Sequence, residues 1–337
     1  MINLRFNRSV RVLAIGASLI GGALAAQAQN AQAQDNANHY PNQPVKIVVP
    51  FAAGGGADVV ARIVAQSLGD ALGQSVIVEN RAGAGGSLGA TFVAQSPPDG
   101  YRLLMGTVST HGTNAAVYNK LGYDPVKDFR PIALVASAPL LLIAGPAAKV
   151  KSVADLVAAA KARPGELSFG SFGTGSINHL AAELFNSMAG IKTIHVPYRG
   201  SAPAMTDLIG GRIDFAFDGP TSLSYIQAGT VSLLGVANPT RWSVLPDRPT
   251  VSESGVPGFV TITWFGLFAP AGTPKPIVDL LNSKMNAALA SAAAKEGLAK
   301  IGLEPTGGNP DVLAKTVAGD IKKWGDVARE KNIRAEQ

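Results

Sequence analysis

The chain has 337 residues, with 38 glycines, 22 prolines, no cysteine and a formal charge of +6. Without cysteine there is no disulfide, no thiolate metal site and no lipid-anchored N-terminal cysteine. About 300 residues exceed what one hydrophobic core usually serves, so two lobes are expected.

Arg5, Arg8 and Arg11 precede an apolar run from Val12 to Ala26, which ends in Ala26-Gln27-Ala28. A basic start, an apolar middle and a small-residue end are the layout of a secretory signal peptide, expected over 1–28. The apolar run is shorter than the ~20 residues a membrane span needs. That leader holds three arginines and no acid, so +6 less three leaves +3 on the mature chain. With no Lys/Arg cluster, such a charge gives no case for nucleic acid. Residues 29–39, rich in Gln, Ala and Asn, read as a flexible N-terminus. Export, no cysteine and no membrane span together point to a periplasm.

Apolar runs then alternate with amphipathic stretches. "VKIVVP" (45–50) reads as a strand, and the helix expected from Asp58 carries Val60, Ile63, Val64 and Leu68 on one face. "SVIVEN" leads to a small-residue helix after "GAGGS", and "YRLLMGT" (101–107) leads into "VSTHGTNAAVY". "PIALVASAPLLLIAG" is an apolar run broken at Pro139, a strand or pair of strands long enough to cross between lobes. Ser152 and Asp155 form a capping pair for the next helix. Further on come "LSFGS" with a helix from Ser176, "TIHVPY" with one from Ala202, and "RIDFAFD" with one from Thr221. "VSLLGVA" and "VTITWFGLFAP" (260–270) are the last strands, and helices near 275–300 and 310–330 close the chain. Repeated β-α-β order predicts mostly parallel α/β sheets, whose ligands bind at the carboxyl ends of strands.

Two glycine loops fall at such ends. "PFAAGGGAD" (50–58) and "SFGTGS" (171–176) each join a strand to a helix, where unpaired amides meet the positive end of the helix dipole. Neither loop contains Lys or Arg, so an anion there would be held by amides and hydroxyls. The competing reading is two ordinary turns capped by Asp58 and Ser176. "RAGAGGSLGA" (81–90) puts Leu88 where a dinucleotide fingerprint needs glycine, and no GK[ST] follows any glycine loop. There is no G-x-S-x-G elbow, and Ser176 with His179 reads as cap and core before it reads as a catalytic pair. His39, His111, His179 and His195 lack metal-ligand spacing. Asp218 ends a strand in "FAFDGP", a place for a cleft residue or a turn. No cofactor is expected, and no enzyme.

Eight segments in this order resemble the tripartite tricarboxylate transporter receptors, or Bug-type solute-binding proteins. They are "YPNQPVKIVVPFAAGGGADVVARIV", "VIVENRAGAGGSLGA", "PDGYRLL", "YDPVKDFRPIALV", "SFGTGSINHLAAELF", "HVPYRGSAPAMTDLIGGRIDFAF", "LPDRPTVSESGVPGF" and "WFGLFAPAGTP". The resemblance implies an α/β type II periplasmic binding protein with two α/β lobes, a ligand cleft and two crossover connections. It places 40–138 and 265–337 in one lobe and 139–264 in the other. It implies a monomeric receptor for a small organic acid, working with membrane permease subunits or a sensor kinase. The implied ligand positions are Phe51, Ala53, Gly54, Gly55, Gly56 and Asp58 in the first loop. Ser171, Gly173, Thr174, Ser176 and His179 come from the second, with Ser109, Thr110, His111, Tyr198, Gly200 and Asp218 around them. Ala57 stands where the family often has Thr or Ser, and "FDGP" is plainer than its common "FDNLP", so the far half of the ligand is left open.

Overall fold

Val45–Val49 (β1) is wholly apolar but for Lys46, as suits a strand covered on both faces. It feeds helix α1, Gly56–Leu72, whose Val60, Ala61, Val64, Ala65 and Leu68 are buried at helical spacing. Gly73 stops it, at φ +68, with its amide returning to the Gly69 carbonyl. The computed structural model describes residues 40–330 and 333–334. The leader and flexible segment expected over 1–39 lie outside them. Gln43–Gln337 is one compact unit, which holds every element described here.

Next come β2 Val76–Asn80, α2 Ser87–Ala94, β3 Arg102–Thr107, a wide π-type turn Ser109–Thr113, α3 Asn114–Val117, β4 Phe129–Pro139 and β5 Leu141–Ala144. The middle of the chain gives α4 Val153–Ala162, β6 Ser168–Ser171, α5 Ile177–Ala189, β7 Ile194–Pro197, α6 Ser201–Ile209, β8 Phe215–Asp218, α7 Leu223–Gln227 and β9 Ser232–Val236. Then follow β10 Ile262–Pro270, α8 Lys275–Ala290, α9 Ala292–Lys300, β11 Glu304–Pro305 and α10 Pro310–Glu330. Ser152 caps α4 by accepting the Asp155 amide at 3.0 Å, while Asp155 accepts that of Lys151.

Among the described residues the strands form two sheets, β11-β4-β10-β3-β1-β2 and β7-β6-β8-β5-β9. The fold is α/β, two sheets flanked by helices. The β1–β2, β1–β3, β6–β7 and β6–β8 pairs are parallel, as the repeated order predicts. β10 runs antiparallel to both β3 and β4, and β5 to both β8 and β9. These are strands beside which the chain crosses between sheets, so they run against the direction set by the helical connections.

The chain passes from the first sheet to the second at Leu140 and returns at Thr261. The two crossings lie side by side. The Leu140 amide donates to the Thr261 carbonyl at 3.0 Å, the Ala237 amide to the Leu140 carbonyl at 2.8 Å, and the Thr261 amide to the Ala237 carbonyl at 2.9 Å.

One expectation on elements fails. The helix expected over 275–300 is two, because Ser291 leaves the helix at ψ 151 and its hydroxyl caps the amide of Ala294.

Candidate functional site

Helices α1, α5 and α6 begin at one place. Gly55, Gly56 and Ala57, Ile177 and Asn178, and Ser201 line a single cavity, together with the strand-end residues Thr107 and Asp218. The space between protein atoms there is about 460 Å³, part of it open to solvent. Phe51, Leu140, Phe172 and Phe265 make its walls apolar, and no Lys, Arg or His lines it. Leu140 is the outward crossing itself, so the cavity sits against the paired connections.

The opening loop is built from within. Gly54 turns it at φ +80. Asp58 is 3% exposed, and its Oδ2 accepts the Gly54 amide and the Arg62 Nε, each at 2.9 Å. Asn80 donates to Asp58 Oδ1 at 3.0 Å and to the Phe51 carbonyl at 3.1 Å. Burial opposes the charge of Asp58, but the bonds from Arg62, Gly54 and Asn80 outweigh it and hold the carboxyl below its ordinary range. Asp58 therefore holds the loop closed and does not line the cavity. The helix cap is Gly55, with no side-chain partner, and not Asp58. What faces the cavity is backbone. The amides of Gly56 and Ala57 belong to the first turn, where a helix has no acceptor of its own to offer.

The second loop is bound up differently. The Gly173 amide donates to Ser171 Oγ, that of Gly175 to His179 Nδ1, and that of Ser176 to the Gly173 carbonyl. Ser176 caps α5, accepting the His179 amide at 3.3 Å. The carbonyls turn the other way. Thr113 Oγ1 donates to that of Gly175 and the Tyr118 hydroxyl to that of Thr174, both at 2.5 Å. Ser171, Gly173, Thr174, Ser176 and His179 thus shape the approach of α5, while Phe172, Ile177 and Asn178 face the cavity. His179 stacks on His195 at 3.9 Å between ring centres, and His195 Nε2 lies 2.6 Å from Ser171 Oγ. Burial lowers both imidazoles, to about 3 and about 4, so they support the loop as neutral rings.

Ser109 reaches the cavity and accepts the Ile177 amide at 3.0 Å, joining the π-type turn to α5. Thr110 and His111 do not reach it. Thr110 Oγ1 closes the turn on the Thr107 amide at 3.0 Å. His111 stacks on Phe268 at 3.9 Å in the core, where burial lowers it to about 3. Tyr198 points away and donates to Asp207 at 2.8 Å. Gly200, at φ +154, admits the first loop: a Cβ there would lie 3.0 Å from the Ala52 amide, which donates to the Arg199 carbonyl. Ala53 lies in the first loop, outside the lining, and Gly54 lines a second cavity that shares Ser201 and Asp218 with the first.

Asp218 is 3% exposed. Its Oδ2 accepts from Ser201 Oγ at 2.9 Å and its Oδ1 from the Gly219 amide at 2.6 Å. Burial, only partly offset by those two bonds, pushes its carboxyl up to about 6. Three buried side-chain atoms along these walls have no partner: Thr107 Oγ1, Asn178 Oδ1 and Thr221 Oγ1.

Sequence reasoning passes over Thr107, Phe172, Asn178, Ser201, Thr263 and Phe265. Thr107 ends a strand and Ser201 opens a helix, signals as good as those at Ser109 and Asp218. Asn178 lies two residues past the second loop, inside the quoted segment "SFGTGSINHLAAELF". Thr263 and Phe265 arrive on the return crossing, and nothing local marks them. Among the described residues no His/Cys/Asp/Glu cluster has the makings of a metal site, and no helix is long and apolar enough to cross a membrane.

The chain is 39% identical over 297 residues to BugT of Bordetella pertussis, covering 88% of this chain and 91% of that one. The structure of R. palustris Rpa4515 with adipate superposes with a TM-score of 0.84 at 42% identity, over 88% of this chain and 99% of that one. MatC from Rhodopseudomonas palustris, with bound malate, gives 0.82 at 37% identity over 86% and 99%. Residues 60–333 match the family described as "Tripartite tricarboxylate transporter family receptor". Matched over most of its length and sharing this fold, the chain belongs to the tripartite tricarboxylate transporter receptor family.

Proposed function

We propose that the protein is a periplasmic receptor that captures a small organic acid and delivers it to the membrane components of a tripartite transporter. The observation that carries the reading is the start of α1, Gly55, Gly56 and Ala57, in the lining of a largely apolar cavity that no basic side chain among the described residues enters. One carboxylate of the ligand would sit on them, against the positive end of α1, an arrangement worth ~0.3–1 kcal/mol when exposed and up to ~2 when partly buried. Ser109 and Thr107 offer hydroxyls beside it. Ser171, Gly173, Ser176 and His179 act by aiming α5, because the amides of Gly173, Gly175 and Ser176 bond within the protein, and Thr174 does so through its carbonyl, which the Tyr118 hydroxyl holds. Adipate and malate in the two related structures agree with an acid as ligand.

The leader pattern over 1–28 supports export, and the paired crossings at Leu140 and Thr261 support a division into one lobe of 40–138 with 265–337 and another of 139–264. Titration calorimetry with an organic acid and its methyl ester tests the reading. Binding of the acid and not of the ester is expected, and equal affinity for both would overturn it. Loss of uptake of that acid on deletion of the gene tests delivery.

A further inference from the structure

Asn178 and Asp218 both line the cavity. The Asn178 Nδ2 donates to the carbonyl of Phe217, the residue before Asp218, at 2.7 Å. A carbonyl accepts only from the amide nitrogen, so this bond orients the side chain and leaves Oδ1, buried and without a partner, as a free acceptor. Beside it, Asp218 has two oxygens with about four acceptor positions, and the structure shows two donors to them, Ser201 Oγ and the Gly219 amide. Both donors are neutral. No Lys, Arg or His lines either of the two cavities that Asp218 faces.

A buried carboxylate and an orphan amide oxygen therefore line one cavity with nothing cationic among the described residues opposite. We propose that the ligand itself supplies the missing donor: the bound acid carries an ammonium group, received by Asp218 and Asn178. The spacing specifies where on the ligand it lies. A Cβ on Gly55 would be 3.4 Å from the Ser201 Cβ, and Ser201 Oγ lies 2.9 Å from Asp218. The acceptors are thus one side chain away from the amides that take the carboxylate, which fits an amine and a carboxylate on the same or adjacent carbons, as in an amino acid. A second carboxylate at this wall would instead face Asp218 with no cation between them. The raised carboxyl of Asp218 agrees, since burial without a cation is its main cause and an ammonium beside it would remove that cause.

The inference rests on the reading of this cleft as an organic-acid site, and the experiment separates the two. Calorimetry on the full mature chain compares acids that differ only in the amine: L-alanine with propionate, L-leucine with 4-methylpentanoate, L-glutamate with glutarate. In the pair whose side chain fits, the aminated member is expected to bind about tenfold to a hundredfold more tightly, as for a hydrogen bond between charged groups. Asp218→Asn, shown to be folded by circular dichroism and thermal unfolding, is expected to erase that preference. The comparison on the unaltered protein needs no variant to fold. Equal or tighter binding of the plain acid in every pair, or a preference that survives in folded Asp218→Asn, overturns the amine site and leaves the receptor reading standing. No binding by either member of any pair overturns the amine site, while the receptor reading stands or falls by the comparison of acid with methyl ester.

Discussion

The hydroxyl of Tyr118, just past α3, donates to the carbonyl of Thr174 in the loop after β6 at 2.5 Å. Fifty-six residues separate the two in sequence, and the bond ties the first sheet's periphery to the second's at the cleft. A neutral hydrogen bond contributes ~0.5–1.5 kcal/mol net. Tyr118→Phe is therefore expected to weaken ligand binding by about twofold to tenfold, read by calorimetry. Unaltered affinity would show that the bond plays no part in closing the cleft.

Gly85 tests the same seam sterically. A Cβ there would lie 2.6 Å from the Thr174 carbonyl oxygen, and its φ is +61. Gly85→Ala is expected to hold the two sides apart, so that small-angle scattering no longer shows compaction on adding ligand. Gly73→Ala is the control: its φ is +68, with open space around the Cβ, so it carries the ~1–2 kcal/mol backbone cost without the clash. Compaction should survive in that variant.

Asp58 is expected to matter for stability more than for contact with ligand. Asp58→Ala removes the acceptor for Gly54, Arg62 and Asn80 and should cost ~1.5–3 kcal/mol in denaturant unfolding. Its carboxyl titrates lower in the folded state than in the unfolded chain. Its contribution is thus present above about pH 4 and is lost as pH falls through the lowered value. Comparing the variant with the parent chain at pH 7 and pH 3 checks both statements, since the gap between them should narrow at the lower pH.

Acid should destabilise the fold well before that, through histidine. His111 and His179 titrate near 3 when folded and His195 near 4, against 6.5 ordinarily. The unfolded chain takes up those protons first, so the stability of each neutral ring is full above about pH 6.5 and drains away as pH falls. Asp218 works the other way. Its carboxyl, raised to about 6 from 3.8, is protonated first in the folded state, which relieves its burial as pH falls from 6 to 3.8. Three histidines against one carboxyl leave a net loss of ~2.7 kcal/mol per pH unit around pH 5 from these groups. Asp218→Asn should steepen that loss, and a stability flat between pH 6.5 and 4.5 would contradict the assignment.

The succession of strands and helices is legible in the sequence because burial imposes a period on each. The nearly unbroken apolar run at "VKIVV" and the helical face of α1 can be read without neighbours. The antiparallel placement of β10 and β5 cannot, since it depends on where the chain re-enters each sheet. The break at Ser291 hides in a stretch whose composition is helical on both sides. At the cavity, the first glycine loop is legible because Gly54 needs a positive φ and Gly55 meets Ser201 closely. Asp58 looks from sequence like a cap or a ligand contact, and its use as an internal clamp depends on Asn80, which the sheet register brings beside it. Asn178 is the instructive omission. Its significance lies in which of its two amide atoms is occupied, and the strand residue that occupies one, Phe217, is thirty-nine positions away.

The hydrogen bonds that link Leu140, Ala237 and Thr261 make the two crossings one ribbon instead of two separate threads. Paired strands twist and bend far more readily than they slide, because sliding breaks every bond of the ladder at once. Movement of the two sheets about this ribbon is then confined to rotation, like a door on a single pin. Rotation about this ribbon would return Gly85 to Thr174 and Ala52 to Arg199 in the alignment seen here, so that the cavity would be reassembled from the same parts after an opening. The accuracy of the binding site is set at the pin, at the far end of the cleft from its mouth.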